Sequence, residues 1–283
     1  PLVFEVRDLW PELPIVVGAI KNPIIIKLAT WLEIYTYKNS KRIVGLSPGM
    51  CDGITRHGIA EDKVTLATNS CDTQLFDVPA SIGIDFINDS LDFLKGRKLV
   101  VYTGTFGLIN NVEYLAYLAS HMKFIDANIC FVAIGDGMMK ESVVKKAQEL
   151  GVLDINFYIL PPVPKTQIVK LLSAADLSVS LFGPVPEMWH NSANKLFDAL
   201  AASTPIAINY GGWQESFIIE YDCGLVLSSN DYGTSASAIS NFLNDQNRYQ
   251  QAISKCSFLA YNVYSRDIMV KRIENTLIEA IND

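Results

Sequence analysis

The chain has 283 residues, of which 49% are apolar and 19% charged, and a formal net charge of −7. That acidic balance argues against a general nucleic-acid binder. No apolar run reaches the length of a bilayer span, and the opening residues do not read as a signal peptide. A mean hydropathy of +0.21 fits a well-packed α/β protein. The cysteines (Cys51, Cys71, Cys130, Cys223, Cys256) are scattered without metal-ligand spacing and read as thiols of a reducing compartment.

In chain order, residues 2–6 read as a buried strand that ends at Arg7-Asp8. Residues 23–38 read as a helix carrying Trp31, Tyr35 and Tyr37, inside a 21–42 segment with five basic residues against one acidic, Glu33. Basic residues with aromatics suit an anionic membrane surface; a solvated helix face is the competing explanation. Strands follow at 42–46 and 63–67, with a helix at 48–57 between them. Residues 68–96 form a connection, and 81–94 carry no recognisable pattern. From Lys98 the alternation is regular, with strands expected at 98–103, 128–134, 155–160, 177–182, 205–209 and 224–227 and helical periodicity between them. Such βαβ repetition gives a parallel doubly wound sheet with ligands at the C-terminal strand ends.

The first of those ends is Thr103-Gly104-Thr105-Phe106-Gly107, whose glycines allow the backbone to approach a phosphate. The spacing is not that of the dinucleotide fingerprint, which argues against a nicotinamide cofactor. Asn110 with Glu113 has capping-box spacing for the next helix. Asp136, between Gly135 and Gly137, reads more readily as a cap than as a ligand. Residues 160–164 form a stiff proline-rich loop, and 183–190 a long one containing Glu187, Trp189 and His190.

Residues 191–212 organise the rest. Asn191 and Ser192 are good N-cap residues, Leu196, Phe197 and Leu200 make one buried helical stripe, and Pro205 stops the helix before a short strand and Gly211-Gly212. Lys195 places a cation in the first turn, which costs roughly 0.3–1 kcal/mol against the helix dipole. An anion on that helix end reverses the sign. Asp198, three residues on, shares its face and can accept hydrogen bonds from hydroxyls. Diphosphate on Lys195 and ribose on Asp198 is the geometry of a nucleotide-sugar site; a surface lysine with a solvated aspartate is the plain alternative.

Lys195-Leu196-Phe197-Asp198-Ala199-Leu200-Ala201-Ala202, followed by Pro205 and an apolar strand, resembles the donor-site helix of retaining glycosyltransferases of family four, in particular the branch that builds bacterial surface polysaccharides. Further matches run in order: Arg7-Asp8-Leu9-Trp10-Pro11-Glu12, Asn69-Ser70-Cys71-Asp72 with Leu75-Phe76, Gly104-Thr105-Phe106-Gly107, Gly135-Asp136-Gly137, Val163-Pro164-Lys165 and Cys223-Gly224-Leu225-Val226. The resemblance implies a GT-B fold, α/β throughout: a Rossmann-like, doubly wound donor domain at 71–264 and a partial second Rossmann-like domain at 1–70. The latter is expected to be the end of an acceptor-binding domain, onto which a terminal helix at 265–283 packs back. It implies a donor set of Gly104, Thr105, Phe106, Gly107, Val163, Asn191, Ser192, Asn194, Lys195, Asp198, Gly211 and Gly212, with Lys195 and His190 catalytic and Arg7 and Asp8 facing the cleft. The activity implied is transfer of a sugar, with retention, from a nucleoside diphosphate to a glycan or lipid-linked glycan acceptor. No cofactor or metal is expected beyond that donor, since no Asp-x-Asp occurs, and no nucleic-acid partner. The place implied is the cytoplasm, with peripheral contact on the inner membrane face through residues 21–42. A non-catalytic nucleotide-sugar-binding subunit, or an epimerase or phosphorylase on the same fold, stays open.

Two departures from the family pattern stand out. Where many members carry two glutamates with seven residues between them, this chain has His190 and Asp198. Where many relatives grip the diphosphate with an arginine and a lysine after the first glycine loop, this chain has Leu108, Asn110 and Asn111, leaving Lys195 as the evident cation.

Overall fold

In the computed structural model, residues 1–282 are described. They form two separate parallel sheets. The first has three strands, β1 (Val3–Val6), β2 (Arg42–Gly45) and β3 (Val64–Leu66), in that order. The second has six: β4 (Lys98–Thr103), β5 (Ile129–Ile134), β6 (Phe157–Leu160), β7 (Leu177–Ser180), β8 (Ile206–Ile208) and β9 (Gly224–Val226). Their spatial order is β6-β5-β4-β7-β8-β9, every pair parallel. The chain thus starts at the centre, winds outward to β6, then returns to β7 on the other side of β4. The crevice at that reversal is where such sheets bind ligands.

The strands of the second sheet are buried on both faces, so they read as apolar runs with little alternation. The pleat still sorts them. Leu99, Val101, Cys130, Val132, Ile206 and Ile208 belong to one core, and Val100, Tyr102, Phe131, Ala133, Val179 and Ala207 to the other. A smaller core holds the first sheet, with Ile43, Met50, Ile54 and Tyr37 at its centre.

Two passages join the halves. At Cys71 the chain enters the second sheet's domain, and near Ser265 it leaves. The two cross with Cys71 N–H donating to the Tyr264 carbonyl at 2.7 Å and Arg266 N–H to the Cys71 carbonyl at 3.1 Å, while Arg266 pairs with Asp72. The final helix, Arg266–Asn282, lies on β2 and β3, with Thr276 Oγ1 donating to Thr65 Oγ1 at 3.0 Å and Arg42 3.6 Å from Glu279.

Several local expectations need correction. The helix expected to start on Asn191 or Ser192 starts at Asn194, with Ala193 in the cap position and no side-chain cap. Asn110 and Glu113 form no capping box: Leu108–Asn110 is a 3₁₀ turn, Asn111 has φ 45°, and Glu113 accepts instead from Ser142. The patternless 81–94 stretch contains a helix, Ala80–Ser90, packed on the helix Lys165–Ser173.

Candidate active site

A cavity of about 520 Å³ opens at the C-terminal ends of β4, β5 and β6, at the topological reversal. Its walls come from Thr103–Thr105 after β4, Ile134–Asp136 after β5, Pro162, Val163 and Lys165 after β6, and Asn194, Lys195 and Asp198 from the helix Asn194–Ala201. The strand-end loops are held together by their own backbones. Gly104 N–H donates to the Ile134 carbonyl at 2.9 Å, Phe106 N–H to the Asp136 carbonyl at 2.8 Å, and Gly135 N–H to the Leu160 carbonyl at 3.2 Å. Gly135 has φ +156°, and a Cβ there would lie 1.8 Å from the Gly104 carbonyl oxygen, so only glycine lets the two turns touch.

Lys195 is partly buried by surface, yet atoms crowd its ammonium. Nζ lies 5.1 Å from the centroid of the Tyr102 ring. A Cβ at Gly104 (φ +146°) would come within 2.8 Å of its Cε and 2.9 Å of its Nζ. Burial pushes the Lys195 pKa below the ordinary lysine value, and the Asp198 carboxylate opposes that shift. No carboxylate comes within ion-pair distance of Lys195 among the described residues, because Asp198 is engaged elsewhere: its Oδ2 lies 2.5 Å from Lys165 Nζ. The helix that carries Lys195 has no side-chain cap: Leu196 N–H turns back on the Ala193 carbonyl at 3.1 Å, and among the described residues no side chain accepts from the Asn194 or Lys195 amide. An ammonium without an ionic partner beside a helix N-terminus without a side-chain cap has the charge that suits an anion.

The structure therefore brings Gly104, Thr105, Val163, Asn194, Lys195 and Asp198 into one place. The remaining sequence candidates lie apart from it. Phe106 is fully buried in the core, its ring edge-on to Tyr102 at 6.1 Å, and Gly107 lies outside the cavity wall. Asn191 holds the following loop, its carbonyl accepting from Trp213 Nε1 at 2.9 Å and Gln214 Nε2 at 3.0 Å. Ser192 is tied to the crossover, its carbonyl accepting from Asn69 Nδ2 at 2.6 Å. Gly211 lines a separate cavity of about 210 Å³ beside Trp189, and Gly212 packs on the Trp189 backbone. His190 sits at the junction with the first sheet's domain. Its ring lies against Gly49, its carbonyl accepts from Ser47 Oγ, and it lines a cavity of about 410 Å³ with Glu12 and Arg56.

Arg7 and Asp8 line a fourth space of about 330 Å³ against the helix Pro23–Asn39. Arg7 lies 4.0 Å from Glu5, and burial raises the Asp8 pKa with Arg7 opposing. Among the described residues no group of three His, Cys, Asp or Glu side chains could hold a metal ion. The wall residue to which the sequence gave no role, although it stands in the Val163-Pro164-Lys165 match, is Lys165. It follows a proline-rich loop at a strand end, and that position is the signal that it faces the crevice.

The arrangement defines a class: a doubly wound parallel sheet with a crevice at its switch point that is lined by two ammonium groups and two carboxylates. The chain belongs to the family of glycosyl transferases group 1, whose model matches residues 84–256. WcaI of Escherichia coli (strain K12), described as a colanic acid biosynthesis glycosyl transferase, is 24% identical over 143 residues. That match covers 50% of this chain and 35% of WcaI, so it spans about a third of that relative. Among solved structures, Anabaena HepE in complex with UDP-glucose superimposes with a TM-score of 0.80 at 15% identity, over 98% of this chain and 72% of HepE. WaaG, a glycosyltransferase involved in lipopolysaccharide biosynthesis, does so with 0.69 at 12%, over 98% of this chain and 74% of WaaG. The fold is GT-B.

Proposed function

We propose that this chain binds a nucleoside diphosphate sugar in the cavity between Gly104, Val163 and Lys195 and transfers the sugar, with retention, to a hydroxyl of a surface-polysaccharide or lipid-linked glycan. The carrying observation is that Lys195, an uncapped helix end and Asp198 share one cavity at the switch point. HepE with UDP-glucose supports the donor class, and the colanic acid and lipopolysaccharide roles given to WcaI and WaaG support the acceptor class. The diphosphate lies on Lys195 and the first amides of Asn194–Ala201; the ribose hydroxyls donate to Asp198; the base lies along Val163.

In the reaction the bond from the sugar's anomeric carbon to the diphosphate oxygen breaks, and its electron pair stays on that oxygen. The anomeric carbon bonds to the acceptor oxygen on the same face, and the acceptor's proton passes to the departing phosphate. Charge develops on the diphosphate, so fixed donors aimed there supply the acceleration. No protein base is needed, and His190, at the domain junction, orders the approach of the two halves. Charge neutralisation comes from the protein and not from a metal.

The domain division is 1–70, 71–264 and 265–283. Residues 21–42 rest on the inner face of the cytoplasmic membrane, supported by an exposed stripe of Ile24, Leu28, Trp31 and Tyr35 at helical spacing with Lys27 and Lys38 beside it. Calorimetry with UDP and uridine in excess chelator tests the donor site. UDP binding persists in chelator, and Lys195→Ala weakens UDP at least tenfold while leaving uridine within twofold, since about 1.5–3 kcal/mol rides on a charged hydrogen bond. Equal loss of both ligands, or none, overturns the assignment.

A further inference from the structure

Lys165 is the second ammonium in the cavity wall, and the family resemblance gave it no role. Its Nζ lies 2.5 Å from Asp198 Oδ2 and 5.0 Å from the centroid of the Phe76 ring. The Lys165 side chain keeps 48% of its surface on a four-carbon stem, so open solvent lies on one side of it, whereas Asp198 keeps only 21% and stands on the helix. The loop after β4, where a diphosphate would be gripped by basic residues, offers Leu108, Asn110 and Asn111 instead. Lys140, the next ammonium along, is 3.7 Å from Asp136 and stands outside the cavity wall. Lys165 and Lys195 are therefore the only ammonium groups lining this space among the described residues.

We propose that Lys165 is the second cation for the donor's diphosphate and that it exchanges between two anions. It pairs with Asp198 when that carboxylate has no other partner, and turns to the diphosphate when the ribose hydroxyls take the carboxylate. The proposal rests on the donor-site reading above and adds a residue to it. The physical case is competition for one acceptor. Two ribose hydroxyls donating to Asp198 stand where Lys165 now donates, and the displaced ammonium finds in the diphosphate an anion within reach of its four-carbon stem. The exchange keeps the ammonium paired throughout, so little charge is left uncompensated in a half-enclosed space. It also couples the two ends of the donor: ribose recognition releases the cation that holds the leaving group.

The test titrates UDP, UMP and uridine, with GDP and guanosine as a second base, against the wild-type chain, Lys165→Ala, Lys165→Arg and Lys195→Ala, with thermal melts alongside. Lys165→Ala is expected to weaken the better-bound diphosphate roughly ten- to a hundredfold, as loss of a charged hydrogen bond does. It should leave the nucleoside unchanged or a few-fold tighter, because Asp198 loses a competitor. Lys165→Arg should recover most of the diphosphate affinity. A residue that merely props up Asp198 would instead weaken nucleoside and diphosphate alike when removed, and that result overturns the proposal, as does an unchanged diphosphate affinity. If Lys195→Ala discriminates diphosphate from nucleoside and Lys165→Ala does not, this inference fails while the donor site stands. If neither does, or if no nucleoside diphosphate binds the wild-type chain, both fail.

Discussion

At the scale of single residues, the account turns on how Lys195 and Asp198 divide their work. Lys195 holds its proton less firmly than an ordinary lysine because its ammonium is desolvated, with Asp198 only partly restoring it. A bound diphosphate favours the charged form, so binding takes up proton wherever the free protein has begun to lose it. The ratio of UDP to uridine affinity should therefore fall as pH rises, beginning below the ordinary lysine value of 10.5; the base's own titration cancels in that ratio. Lys195→Ala should flatten most of this dependence, and an unchanged slope would place the titrating group elsewhere. For stability the sign is opposite: the unfolded chain binds more proton than the folded one in that window, so Lys195 makes stability rise with pH there. Asp198→Ala should weaken UDP by roughly 1–3 kcal/mol and the 2′-deoxy analogue distinctly less. Calorimetry with both nucleotides decides, and equal losses would free Asp198 from the ribose.

At the scale of elements, the helix Asn194–Ala201 shows what a site costs its fold. Ala193 has φ −70° and ψ 119°, an extended cap conformation, but no side-chain oxygen to use it. Ala193→Asp should stabilise the helix by roughly 0.5–2 kcal/mol and raise the melting temperature by about 1–3 °C. It should also weaken UDP several-fold, because the new carboxylate occupies the same amides and repels the diphosphate. A variant that melts higher and binds UDP unchanged would show that the helix end is not the anion's seat. Gly135→Ala is expected to destabilise by roughly 1–3 kcal/mol, since its methyl meets the Gly104 carbonyl in a conformation that L residues avoid; denaturant melts measure it.

The legible and illegible elements differ in what they bury. Leu196, Phe197 and Leu200 turn three large side chains inward, and the strands from β4 onward are apolar runs, so both declare themselves. The helix Ala80–Ser90 buries only Gly83 and Ile87, with Gly83 resting on the Lys170 backbone. A contact made by a missing side chain leaves no periodic mark. Asn191 and Ser192 look like caps, but the helix starts two residues later, and their backbone carbonyls accept from Trp213, Gln214 and Asn69, partners distant in the chain. Lys165 was hidden for the same reason: its partner Asp198 lies 33 positions away.

At the scale of the molecule, two sheets meet across a cleft bridged by few polar contacts, among them Ser47 with His190 and Asn69 with Ser192. The helix Pro23–Asn39 is set on the first sheet's side with Ile24 76%, Leu28 61% and Trp31 57% exposed. No helix among the described residues is long and apolar enough to cross a membrane. Trp31→Glu should lower co-sedimentation with anionic vesicles roughly tenfold or more, given the apolar area a tryptophan buries, and leave UDP affinity unchanged. Equal sedimentation of both proteins would return that face to another partner.

The most direct measurement of the donor-site claim is hydrogen–deuterium exchange of the whole chain with and without saturating UDP. The account predicts slowed exchange in peptides covering residues 103–107, 134–137, 162–166 and 193–198, and none attributable to UDP around Arg7 and Asp8 or Gly211 and Gly212. Protection centred on residues 183–190 and 209–229, with residues 193–198 unchanged, would contradict it.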